Sequence, residues 1–488
     1  MKITASMEEI RQFAAEKKYS VFPVSCELLS DHITPIEAIR ILKNVSTHCY
    51  MLESAQSNDR WGRYTFLGYD PKIEITCIDG DMKIGDLTMK TDDPSKILRQ
   101  LLSDYRSPKL PYLPPFTGGL VGYFSYDYLC YSEPVLKHCA EDSENFKDID
   151  LMLFDKVIAF DNVRQKLILI VNIKLEHAEV EFNRAVMELS HMAELLKNGK
   201  RSDDNSGRLT GEVTPLFDKE TYCDMVRKAK HHIREGDIFQ IVLSNRLSAP
   251  FEGSLLNTYR MLRTINPSPY MFYFSGTDVE VAGASPETLV KLENGVLHTF
   301  PLAGTRPRGK TEEEDLALER ELLADEKELA EHNMLVDLGR NDLGKVSRFG
   351  TVEVEKLHSI ERFSHVMHIG STVRGEIRED KDAFDAIEAV LPAGTLSGAP
   401  KIRACQLIGA LENNKRGIYG GAIGYIDFTG NMDTCIAIRL AYKKNGKVFV
   451  RSGAGIVADS DPEKEYEECL NKAKASLKAL RQAQEELL

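Results

Sequence analysis

The sequence predicts an α+β fold with a mostly antiparallel sheet flanked by helices. In the amino-terminal half, short β-rich runs such as residues 72–78 and 166–173 alternate with turn formers. Residues 178–196 there carry helical periodicity through Val180, Phe182, Val186, Leu189, Met192 and Leu195. Further on, a helix over 219–235 leads into a strand over 238–247, and later strands follow through short loops rather than regular helical crossovers. Parallel neighbours need such crossovers, so antiparallel pairing is the expectation. No solenoid-period repeat and no low-complexity tract interrupts the pattern.

Apolar residues make up 42% and charged residues 28% of the 488, which excludes wholesale disorder and fibrous architecture. One compositional break, NGKRSDDNSGRLTGEVTP over 198–215, loses apolar periodicity. It reads as a linker between an amino-terminal domain (1–197) and a carboxy-terminal one (216–488). With 62 Lys and Arg against 75 Asp and Glu, the net charge of −13 opposes nucleic-acid binding by counterion release. Nine cysteines scatter between Cys26 and Cys469 without a C-x-x-C pair, so reduced thiols and a cytoplasmic location are expected. The start, MKITASMEEIRQF, lacks an apolar export region, and runs such as LILIV at 167–171 are too short for a bilayer.

Residues 325–343, DEKELAEHNMLVDLGRNDL, read as a helix with Glu328 and Glu331 three apart on one face. The last helix begins at Asp461-Pro462, an N-cap followed by proline at N1, and its apolar stripe runs through Tyr466, Leu470, Ala473, Leu477 and Leu480. Glu465, Glu468 and Lys472 lie on its other side. Converging, the two acidic faces would make a hard oxygen site of the kind magnesium accepts; apart, they are ordinary solvated helix surfaces. His365 and His368 lie in a strand-like stretch where positions three apart face opposite ways, so they do not share an ion. His368 alone reads as a core residue or a proton carrier. RSGAGIV at 451–457 is either a tight turn or an anion-binding nest, and PLAGTRPRG at 301–309 a surface loop offering Thr305, Arg306 and Arg308.

GGLVG at 118–122 falls short of the dinucleotide fingerprint. G-x-S-x-G, H-E-x-x-H and a Walker lysine are all missing, which removes the best evidence for esterase, zinc-protease and P-loop chemistry.

Taken together, EGDIFQ (235–240), SPE (285–287), PLAGTRPRG, EHNMLVDLGRNDLG, LSGAPK (396–401), GGAIGY and the stretch from RSGAGIV to ECLNKA resemble the chorismate-utilising enzymes. The narrower likeness is to the large subunits of the anthranilate-forming branch, with the motifs covering about 219–480. The resemblance implies two antiparallel sheets packed face to face between helices, a four-layer αββα sandwich. In it the first domain is regulatory or structural and the second binds chorismate. It implies a magnesium ion held by Glu331 and Glu468, with Glu328 and Glu465 in support. Glu287 would protonate the leaving oxygen and His368 would assist the later elimination. Gly304, Thr305, Tyr419, Arg439, Gly453, Ala454, Gly455 and Lys472 would hold substrate or metal waters, with Thr395 lining the same pocket.

Two positions bear on the branch. Water-using relatives place lysine where this chain has Gln240, and the para-aminobenzoate branch commonly has lysine in P-I-K-G-T where Ala303 stands here. Ammonia as nucleophile and anthranilate plus pyruvate as products are therefore implied. LES (52–54) and NPSPYMFYF (266–274) resemble tryptophan-binding segments, so Glu53, Ser54, Pro269, Tyr270 and Met271 would bind L-tryptophan as feedback inhibitor. No G-x-C-x-G glutaminase motif is present, which implies a separate glutamine amidotransferase subunit, in a heterotetramer. The rivals are an aminodeoxychorismate synthase, which differs in product, and a non-catalytic tryptophan-binding regulator.

Overall fold

Two large antiparallel sheets form the centre of the computed structural model, which describes residues 2–54, 62–137, 140–202, 207–363 and 366–485. Among these residues the first sheet has 13 strands. It runs Val21–Leu29, Lys166–Lys174, Lys156–Asp161, Tyr64–Tyr69, Cys49–Glu53, Tyr270–Ser275, Glu280–Ser285, Leu440–Lys444, Lys447–Ile456, Gln240–Glu252 and Arg208–Leu209. Thr214–Pro215 and Gly398–Ala399 also pair with Gln240–Glu252. The second, of 12 strands, runs Leu302–Pro307, Val366–Glu376, Val296–Thr299, Thr288–Glu293, Met432–Ile436, Ala422–Asp427, Gly119–Phe124, Ile149–Phe154, Ile73–Ile78, Asp81–Ile84 and Leu87–Lys90. Glu353–Arg362 joins it beside Val366–Glu376.

Strands from both sides of 198–215 stand in both sheets, which corrects the two-domain reading. Cys49–Glu53 pairs with Tyr270–Ser275 in one sheet, and Gly119–Phe124 with Ala422–Asp427 in the other. The polar, turn-rich composition of 198–215 does not divide the core: its short strands Arg208–Leu209 and Thr214–Pro215 edge the first sheet.

Alternating side chains give the sheets apolar faces on both sides. Tyr50, Val281, Tyr442 and Phe449 of the first sheet meet Val121, Tyr123, Ile423 and Cys435 of the second in one buried cluster between them. Outside the first sheet, Leu189, Met192, Leu262, Ala473 and Leu480 dock the helices Ala178–Asn198, Leu256–Ile265 and Pro462–Glu485. Outside the second, Val336, Leu343, Phe384 and Ile387 dock Glu326–Gly344 and Ala383–Val390. Each fully buried side chain of this size contributes about 1.5–3 kcal/mol. The layers are those of the αββα sandwich. No described helix is long and apolar enough to cross a membrane, and the eight described cysteines are free thiols.

Candidate active site

Two capped helices carry the acids. Asp325 precedes Glu326–Gly344, and its Oδ1 accepts the Lys327 and Glu328 amides at 3.1 and 3.2 Å. Asp461 does the same for Pro462–Glu485, accepting from Glu463 and Lys464 at 3.0 Å each. The first helix buries His332, Leu335 and Val336, and Glu328 and Glu331, at i and i+3 to each other, lie half-buried along the same side as Leu335. The second is tied to the strand Lys447–Ile456 by a 2.7 Å bond from the Ser452 hydroxyl to the carbonyl of Cys469, the residue after Glu468. Burial and the neighbouring Glu331 and Asp325 charges raise the Glu328 carboxyl, while burial and Glu468 raise Glu465. Lys472 pairs with Glu468 at 2.8 Å.

Glu287 follows the strand Glu280–Ser285, and its carboxyl is buried. Burial pushes its pKa up to about 8, although a 3.1 Å bond from the Thr395 hydroxyl and the Lys472 charge both oppose the shift. Neutral solution therefore leaves it mostly protonated, as a general acid requires. Thr395 sits in the short 3₁₀ turn Gly394–Leu396.

Thr305 and His368 meet across a bulge between Leu302–Pro307 and Val366–Glu376. At its centre Gly304 adopts φ +66°, and a Cβ there would stand 3.2 Å from Glu328 Oε2. The Gly304 carbonyl lies 2.8 Å from His368 Nδ1 and the Thr305 hydroxyl 3.1 Å. A carbonyl only accepts, so Nδ1 carries the proton and Nε2 presents a lone pair. Burial, reinforced by Arg439, lowers the His368 pKa and keeps the ring neutral. Arg439 itself holds a left-handed φ of +54° and donates to the Lys472 carbonyl at 3.3 Å. A non-glycine residue there stores strain, which clusters at functional sites. His365 lies outside the described residues.

The glycine run is strand rather than turn or nest: Gly453, Ala454 and Gly455 pair with Ser244, Leu243 and Val242. Their use is room. A Cβ on Gly453 would come within 3.0 Å of the buried Tyr419 hydroxyl, and one on Gly455 within 2.9 Å of Gln240 Nε2. That same nitrogen donates to Glu331 Oε1 at 3.3 Å, so Gln240 spans from the glycine strand to the first acid helix. Nor is PLAGTRPRG a surface loop, since Leu302–Pro307 is bulged strand. Its guanidinium groups are not free for an anion: Arg306 pairs with Glu321 and Asp325, and Arg308 with Asp315.

The five other expected residues, Glu53, Ser54, Pro269, Tyr270 and Met271, line one cavity of about 990 Å³. Arg263 and Tyr259 hold the Glu53 carboxylate, the former at 2.6 Å. The Tyr270 hydroxyl donates to Asp433 at 2.8 Å and lies 2.9 Å from the hydroxyl of Thr288, the residue after Glu287. Sequence reasoning missed this link, as it missed the structural role of Gln240; neither has a local signal, because each joins residues far apart in the chain.

A family model described as chorismate binding enzyme matches residues 47–478. Anthranilate synthase component 1 of Acetivibrio thermocellus is 46% identical over 492 residues, covering 98% of this chain and 99% of that protein. The Aquifex aeolicus (strain VF5) protein of the same name is 44% identical over 506 residues, covering 99% of each. Among solved structures, anthranilate synthase component I from Streptococcus pneumoniae TIGR4 matches with a TM-score of 0.75 at 37% identity, covering 92% of this chain and 98% of that one. Likeness of this extent, in sequence and in three dimensions, settles the kinship: the chain belongs to the chorismate binding enzyme family.

Proposed function

We propose that the chain is the large subunit of an anthranilate synthase, converting chorismate and ammonia to anthranilate, pyruvate and water. The observation that carries this reading is the Glu287 carboxyl, kept protonated by burial and held by Thr395 in reach of the Lys472 charge. Ammonia adds at the ring carbon beside the one bearing the carboxylate, and Glu287 gives its proton to the departing hydroxyl, which leaves as water. Proton loss at the new C–N carbon then breaks the enolpyruvyl ether bond. Pyruvate departs as the ring becomes aromatic, with neutral His368 Nε2 as the proton acceptor. Arg439, Lys472 and the Gly453-Ala454-Gly455 backbone provide cations and N–H donors for the substrate carboxylates.

The acids fit magnesium: four hard carboxylates on two helices, with Glu328 and Glu465 each pushed up partly by a like-charged neighbour, a repulsion a divalent cation would relieve. Among the described residues no three such groups are already gathered as a cage. Glu331 and Glu468 would hold it, and when bound it would supply electrostatic stabilisation of charge on the ring carboxylate. Given chorismate, ammonium and magnesium salts, the chain should form a product with anthranilate's fluorescence, and EDTA should abolish it. A 4-amino product would move the chain to the aminodeoxychorismate branch.

Ammonia would come in the cell from glutamine, through a partner amidotransferase, and the cytoplasm would be its location. The cavity lined by Glu53, Ser54, Pro269, Tyr270 and Met271 would take L-tryptophan, with the Tyr270–Thr288 contact leading toward Glu287. Ser54→Arg should fill that cavity with a bulky cation. Synthesis should persist while tryptophan inhibition weakens at least about tenfold, the effect of losing roughly 1.4 kcal/mol of binding. An unchanged inhibition curve would remove the cavity as the inhibitor site.

A further inference from the structure

Behind the glycine strand three charged side chains lie out of water: Glu412, Arg416 and Arg451, none more than 2% exposed. Arg416 grips Glu412 with two bonds, Nε to Oε2 at 3.0 Å and Nη2 to Oε1 at 2.6 Å, and Arg451 Nη2 adds a third at 2.7 Å. Burial alone would raise the Glu412 carboxyl, but the two guanidinium groups outweigh it and hold it below its ordinary range. The triad therefore keeps one surplus positive charge, faced by the rings of Tyr126 and Tyr419 at 4.6 and 5.9 Å from Arg416. Such groups are poor sources of stability, because desolvation offsets the Coulomb attraction. What this one fixes is position.

The remaining donors of Arg416 point to two backbone carbonyls, Nη1 to Leu396 at 2.6 Å and Nη2 to Val242 at 2.7 Å. Leu396 follows Thr395, whose hydroxyl holds Glu287. Val242 pairs with Gly455 on one side, and its N–H bonds the Ser397 carbonyl at 2.9 Å on the other. The short ladder from Gly398–Ala399 to Gln240 and Ile241 ends one residue earlier, and the guanidinium spans the gap beyond it. We propose that Arg416 is a positioning residue for the acid step, bridging Leu396 to Val242 and so setting where Thr395 and the Glu287 carboxyl stand relative to Gly453, Ala454 and Gly455. The inference rests on the reading of Glu287 as the general acid.

Arg416→Met leaves Glu412 paired with Arg451, a balanced pair, so the fold should persist. Its kcat for ammonia-dependent anthranilate formation should fall about 100-fold, the order expected for displacement of a catalytic group by an ångström, with little change in KM for chorismate. The alkaline fall of kcat should also move to higher pH, because a displaced Thr395 no longer stabilises the ionised carboxyl. Thr395→Val should move it the same way, and combining the two substitutions should move it no further. If Arg416→Met does not fold, Arg416→Lys, which keeps the charge but loses the planar fork, should shift the fall in the same direction. A purely structural role would lower Tm and leave the pH profile in place. An unmoved profile in a folded variant, or shifts that add in the double variant, would overturn the proposal. Absence of anthranilate from the wild-type reaction would instead remove the function proposed above.

Discussion

Glu287→Gln should cut kcat by about 10²–10⁴-fold, the usual range for loss of a general acid, while leaving the KM for chorismate nearly unchanged. Glutamine has the same shape and still accepts the Thr395 hydroxyl, now 3.1 Å from Glu287, but it has no proton to give. The pH dependence carries a sign. Burial raises the Glu287 pKa to about 8, so the active, protonated form is lost as pH rises through that value. Wild-type kcat should fall above about pH 8, and the residual rate of the Gln variant should lack that fall. A stopped assay of anthranilate fluorescence across pH checks both. Retention of wild-type kcat by the variant would take the acid role away from Glu287.

Glu331→Gln and Glu468→Gln should each lower turnover at least about 100-fold, the upper order seen even for groups one shell removed from a metal. Excess magnesium should restore part of it. Thermal unfolding separates this loss from instability. Glu468 is exposed and, among the described residues, its ion pair is with Lys472, an i,i+4 contact worth roughly 0.3–0.5 kcal/mol, so its Tm should hardly move. Glu331 accepts one long bond from Gln240, at 3.3 Å, and its loss should likewise cost little stability. Isothermal titration of magnesium into the three proteins gives a second readout independent of catalysis. Equal affinity in all of them would release both carboxylates from a metal role.

The acid helices were the most legible part of the chain. Their caps, Asp325 and Asp461, and their apolar stripes are local features, and local features are what periodicity reads. On another helix, Ala178–Asn198, the facing is approximate: Val180, read as part of its periodic apolar stripe, is 71% exposed. The segments misread were those whose meaning depends on a distant partner. A glycine pair in RSGAGIV signals a turn unless the neighbouring strand is known, and here the neighbour is Leu243 with Gln240 and Tyr419 pressed close. Arg306 and Arg308 look available in the sequence because Glu321, Asp325 and Asp315, which occupy them, sit on helices that fold back over the strand. Glu412 and Arg416, four apart, have the spacing of an ordinary surface ion pair, and only packing reveals that they are buried. The pairing of Glu287 with Thr395 joins residues more than a hundred positions apart; the family motifs brought them into one pocket, but not into contact.

The interleaving of early and late strands has a consequence for biosynthesis. As the polypeptide leaves the ribosome, Cys49–Glu53 and Gly119–Phe124 emerge long before the neighbours they need, Tyr270–Ser275 and Ala422–Asp427. Until those arrive, apolar edges are open to other nascent chains, the circumstance in which translation pauses and holding chaperones most affect yield. The helix Pro462–Glu485 follows every described strand of both sheets, so Glu468, proposed above as a magnesium ligand, is made only after those strands.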